Sequence, residues 1–141
     1  MTRQDYRARI LLEEFWDMKI PIDPEMFAEK LGWTVSERSD GVPGSTGIDR
    51  AARTITVTSG LRPEQRRWEV AVALGRVVWE DRDGNTEEAA SRFARSLLIP
   101  DIAVKVVIDL RGIRDPVRIR RLFGVTAEVL YRRLQELGWV G

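Results

Sequence analysis

The residues best equipped for chemistry cluster in two stretches, RRWEVAVALGRVVWE at 66–80 and EEAASRFARSLLIP at 87–100. In the first, Glu69, Val72, Ala73, Arg76 and Glu80 recur at i, i+3, i+4, i+7 and i+11, so a helix would carry them on one face. Val70, Leu74, Val77 and Val78 form the opposing apolar stripe. The expectation is a polar face turned to a cleft, with Val72 and Ala73 as small apolar residues in its middle. Arg76 has possible partners in Glu80 at i+4 and in Glu87 or Glu88 of the second stretch. The plain alternative is an exposed surface pair worth about 0.3–0.5 kcal/mol. Gly75 falls mid-helix, where it costs about 1 kcal/mol relative to Ala. Close approach of another element would explain it.

Composition narrows the chemistry further. The 141 residues include no Cys and no His. Disulfides, thiol nucleophiles, Ser-His and Cys-His mechanisms and Cys- or His-based zinc sites are therefore excluded. A metal would need oxygen ligands alone, which suits calcium or magnesium better than zinc. Proton transfer would fall to carboxylates, Lys, Tyr or water. Asp81-Arg82-Asp83-Gly84-Asn85 hints at a calcium loop, but the EF-hand register would put Trp79 first and Ala90 last, so it reads as a solvated turn.

The two stretches resemble the ImmA/IrrE family of metallopeptidases. IPIDPEMFAEKLGWTV at 20–35 and LFGVTAEVLYRRLQELG at 122–138 extend the likeness over most of the chain, and FARSLLIP at 93–100 carries it most specifically. In that family one helix bears His-Glu-x-x-His. Two imidazoles one turn apart grip a zinc, and the Glu acts as general base on the metal-bound water. A third ligand, a Glu, comes from the next helix. Here the frame reads Val72-Ala73-Leu74-Gly75-Arg76, which puts Val72 and Arg76 at the His positions and Ala73 at the Glu. Ala89 falls at the third ligand, with Glu88 one residue away, about 100° around the helix. Zinc brings the pKa of bound water to about 7, and a positioned base adds about 10²–10⁴-fold. Neither has a replacement here, and Arg76 stays protonated and repels a cation.

The elements around these stretches read as α+β. Thr2 caps a first helix to about Asp17, with Tyr6, Ile10, Leu11, Phe15 and Met18 at helical spacing. Asp23-Pro24 opens a short helix stopped by Gly32. Trp33 to Arg38 reads as a strand, Asp40-Gly41 and Pro43-Gly44 as turns, and Ser45–Asp49 with Thr54–Thr58 as a hairpin. Helices follow over 63–80, 86–98, Asp101–Leu110, from Asp115-Pro116 to Gly124, and from Thr126 to Leu137. The fold expectation is a small antiparallel sheet packed on a helical bundle in a single domain spanning 1–141. The resemblance adds a zincin-like peptidase domain and a helix-turn-helix-like C-terminal segment over about 101–141.

Trp68 and Trp79 read as core aromatics. Trp68 also joins Glu69, Arg76, Glu80, Glu87 and Glu88 as a candidate binding residue. The functional expectation is a pseudopeptidase that binds a protein partner without cutting it, and it calls for no metal and no cofactor. The resemblance implies an Xre-type helix-turn-helix repressor as that partner, in stress or mobile-element regulation. One alternative is a residual hydrolase with carboxylate ligands drawn from Glu69, Glu80, Glu87 or Glu88. Another is DNA binding. Net charge is only +1, yet residues 111–141 hold seven Arg against Asp115, Glu128 and Glu136. Arg118, Arg120, Arg121, Arg132 and Arg133 are the candidates there, although Glu128 near the start of the last helix would face phosphates unfavourably. The first 20 residues lack the apolar core of a signal peptide, and no apolar run reaches membrane-span length, so a cytoplasmic location is expected.

Overall fold

The computed structural model describes residues 2–40, 45–78 and 86–141. The turns at Gly41 and Pro43-Gly44, Trp79, Glu80 and the segment 81–85 lie outside the described residues.

Local capping chemistry sets most helix starts. Thr2 accepts from the Asp5 amide and Asp5 answers to the Thr2 amide, a reciprocal cap that opens α1, Arg3–Phe15. Asp23 caps α2, Pro24–Lys30, whose first residue is a proline pre-set for helical φ. Thr86 caps α4, Glu87–Leu98, Asp115 caps α6, Pro116–Phe123, and Thr126 caps α7, Ala127–Glu136. The helix α3, Pro63–Val77, starts on proline, with the Gln65 side chain accepting from the Arg62 amide. The α5 helix differs from expectation at both ends. Pro100, not Asp101, is its cap, and Asp101–Lys105 runs on into a π turn over Val106–Leu110.

The sheet corrects the expected antiparallel arrangement. Strands β1 (Thr34–Arg38), β2 (Gly47–Asp49) and β3 (Thr54–Thr58) lie in the order β1-β3-β2. The hairpin β2–β3 is antiparallel, as expected, but β3 inserts between the other two strands and runs parallel to β1, so the sheet is mixed. A central strand needs apolar residues at alternate positions, and Ile55 and Val57 of β3 are fully buried. β1, at the edge, shows no such alternation.

One apolar cluster joins sheet and helices. The helix α4 lies at its centre, with Phe93, Ala94, Leu97 and Leu98 fully buried, and it packs against α1, α3 and α7. Gly75 is explained by this packing. A Cβ there would lie 3.0 Å from the Phe93 ring and 3.1 Å from the Ala90 carbonyl oxygen, so α3 and α4 meet at a contact that only glycine permits without displacement. The α1 stripe differs from its expected register. Tyr6, Ile10 and Met18 are exposed, and the buried face is Gln4, Arg7, Ala8 and Leu11.

Candidate functional site

A cleft of about 740 Å³ opens between α3, α4 and α7. Four of the six candidate binding residues meet in it: Trp68 and Glu69 from α3, Glu87 and Glu88 from the first turn of α4. Trp68 is half-buried and packs against the core, so one ring supports the fold and also faces the cleft. Glu69 is held by Thr46, whose hydroxyl donates to its carboxylate at 2.7 Å. Glu87 and Glu88 occupy the start of α4, where the helix dipole favours negative charge. Arg76 does not line the cleft, and Glu80 lies outside the described residues.

The expected polar face of α3 is only partly present. Ala73 is buried in the core at 2% exposure and Val72 packs against that core. The apolar middle of the face has been absorbed into the helix seam, and among its described residues only Glu69, at the N-terminal end, lines the cleft. Val72 and Arg76 remain one turn apart on α3. Ala89 is half-buried on α4, and its amide donates to Thr86 as part of the cap. Glu88 meets Arg95 at 3.5 Å. Among the described residues, no group of three or more Asp or Glu is arranged to hold a metal ion.

The remaining cleft wall is α7, which sequence reasoning missed as part of this site. Glu128, Val129 and Arg132 line it, together with Thr126 at the cap. Arg132 therefore belongs to the cleft. Its neighbour Arg133, a candidate for DNA contact, is only 4% exposed and takes no part in any outer surface. Its Nε donates to the Ile99 carbonyl at 2.9 Å and its guanidinium lies 3.5 Å from Asp5. Leu130 and Leu134 are buried beside it, so the α7 face that packs inward carries Arg133 with it. Arg118 and Arg121 are exposed on α6 and Arg120 is half-buried.

Beneath the cleft runs a charge network. Arg92 forks onto Asp5 at 3.0 and 2.7 Å and reaches Glu136 at 2.8 Å. Arg95 forks onto Glu136 at 3.0 and 2.9 Å, and Ser96 donates to Asp5. The network ties α1, α4 and α7 together. Burial alone would raise the Asp5 carboxyl. Hydrogen bonds from Arg92, Ser96 and the Thr2 amide outweigh it and hold the group well below the usual carboxylate range. Arg92 is raised, chiefly by its hydrogen bond with Asp5. Arg133 is lowered by burial, partly offset by Asp5 and Glu136. Gln4 and Arg7 share the buried face of α1 with Ala8 and Leu11, but the network residue of that helix is Asp5.

Comparison with known proteins follows the same elements. The family model described as the IrrE N-terminal-like domain matches residues 28–135. Among solved structures, a Mycobacterium tuberculosis transcriptional regulator superposes with a TM-score of 0.71 at 19% identity, over 93% of this chain and 46% of that one. The chain thus spans about half the length of that neighbour, and at this identity the likeness is one of fold. No curated protein matches.

Proposed function

The chain belongs to the IrrE N-terminal-like domain family, and from that premise we propose that it is a pseudopeptidase, a member that holds a protein partner without cutting it. The observation that carries this reading is the donor set at the four positions where the family has its zinc ligands and base. Val72, Ala73 and Ala89 offer no lone pair, and Arg76 is a fixed cation. These residues do not fit zinc, and no step through a metal is derived. The cleft beside them supports a binding role. It joins a half-buried indole to four carboxylates, those of Glu69, Glu87, Glu88 and Glu128. Aromatic platforms of this kind anchor protein interfaces.

The partner class comes from the family likeness and is an Xre-type helix-turn-helix repressor. The M. tuberculosis neighbour is a transcriptional regulator by name, which fits a regulatory setting.

The test has two arms. Protein purified without chelator is assayed for metal by elemental analysis and then titrated with zinc. The expected result is a folded protein with no stoichiometric zinc. One tightly held zinc per chain would overturn the reading. In the second arm an Xre-type repressor is mixed with the chain, and binding and integrity are followed together. Binding with the repressor left intact is expected. Repressor cleavage, or no binding at tens of micromolar, would sink the proposal.

A further inference from the structure

With Arg133 buried and Arg132 placed in the cleft, a different basic feature remains on the surface. Arg111, Arg114, Arg118 and Arg121 are all exposed, and none forms an ion pair with another described residue. Of the nearby carboxylates, Asp115 is engaged in capping the Val117 amide at 3.1 Å, and Asp109 is exposed two residues before Arg111 without an ion pair to the run. Arg118 and Arg121 stand one turn apart on α6. Arg114 lies immediately before its cap, and Arg111 ends the preceding π turn. This is a run of guanidinium groups outside the cleft.

We propose that this run is a sequence-independent binding surface for the phosphate backbone of duplex DNA. Guanidinium forks match phosphate oxygens in pairs. The rise of about 4.5 Å between Arg118 and Arg121, three residues apart on α6, is on the scale of the ~3.4 Å of axis per phosphate along one strand. Ile119 and Phe123 of α6 are buried at 3% and 0% exposure, while Val117 is exposed on α6 and Leu110 is exposed just before Arg111; two single side chains give no continuous apolar stripe to insert, so a membrane surface is the weaker reading. An acidic protein partner is disfavoured because the run has no aromatic anchor among its exposed residues. Base reading is absent for a structural reason. The N-terminal turn of α7, where a reading helix would place polar side chains, carries Glu128 in the same cleft as Glu87 and Glu88. Phosphates are repelled there. The surface lies on residues that do not line the cleft, so it stands or falls separately from the pseudopeptidase reading.

The experiment is fluorescence anisotropy of the full chain with two 20-bp duplexes of unrelated sequence, from about 25 to 200 mM salt. With three to four phosphates contacted, the plot of log affinity against log salt should slope at about −3 to −4, the same for both duplexes. Arg118→Ala and Arg121→Ala should each reduce that slope by about one, and Arg132→Ala should leave it unchanged. These positions are exposed, and circular dichroism will confirm that the variants remain folded. The proposal is overturned by an absence of binding at the lowest salt, by a strong preference for one duplex, or by a slope indifferent to Arg118 and Arg121. Tighter binding to phosphatidylserine vesicles or to a poly-glutamate peptide than to DNA would overturn it as well.

Discussion

The cleft and the network beneath it use the same residue types for opposite ends. In the network Asp5 and Glu136 are each met by more than one arginine, and their side chains are 10% and 11% exposed. In the cleft Glu88 is 82% exposed and touches only the rim of that network, through Arg95. A carboxylate surrounded by donors is committed to assembly, and its loss leaves buried cations behind. A carboxylate at a cleft mouth remains available to a ligand, and its loss costs the fold little. Arg132 and Arg133 show the same division between adjacent residues.

The largest expected effect breaks the network. Asp5→Asn should lower unfolding free energy by about 3–5 kcal/mol in urea titration, since it strips a buried pair from Arg92 and weakens the α1 cap. A loss below about 1 kcal/mol would show the network to be incidental. Gly75→Val tests the seam that underlies both regions. Overpacking against Phe93 and the Ala90 carbonyl should cost about 2–3 kcal/mol, read as a lower denaturation midpoint with an unchanged m-value. The third prediction concerns acid. The folded Asp5 carboxyl titrates below its unfolded value, so its stabilisation is complete above the unfolded pKa of about 3.9 and is lost as pH falls toward the folded one. Thermal melts should decline below about pH 4, and the decline should be shallower in Asp5→Asn. The smallest effect sharpens the contrast. Glu87→Gln and Glu88→Gln should change stability by no more than about 0.5 kcal/mol while weakening partner binding.

What was legible in the sequence was local. Thr2, Asp23, Asp115 and Thr126 announced helix starts because a capping side chain and the amides it satisfies are two or three residues apart. The β2–β3 hairpin was legible for the same reason. The insertion of β3 beside β1 was not, since alternation reports the faces of a strand and says nothing of its neighbours. Trp68, Glu69, Glu87 and Glu88 were found through the spacing of two adjacent helices. Glu128 and Arg132 were missed because only tertiary packing brings α7 across to the cleft. Tyr6 and Ile10 misled because their spacing fits a helix face as well as that of Ala8 and Leu11 does. Gln4 and Arg7 ride with Ala8 and Leu11 on the buried face, a placement that apolar spacing alone does not report.

The union of Asp5 with Arg92, Arg133 and Glu136 also sets an order in time. Arg133 leaves the ribosome about 130 residues after Asp5, roughly 6–26 s at ~5–20 residues per second. Until α4 is made, α1 has its cap but not its charge partners, and until α7 is made it lacks Arg133. Its docking must wait for α4 and then α7, and contacts so distant along the chain slow the search for the native arrangement. A helix made well before its partners is thus among the last elements to be secured.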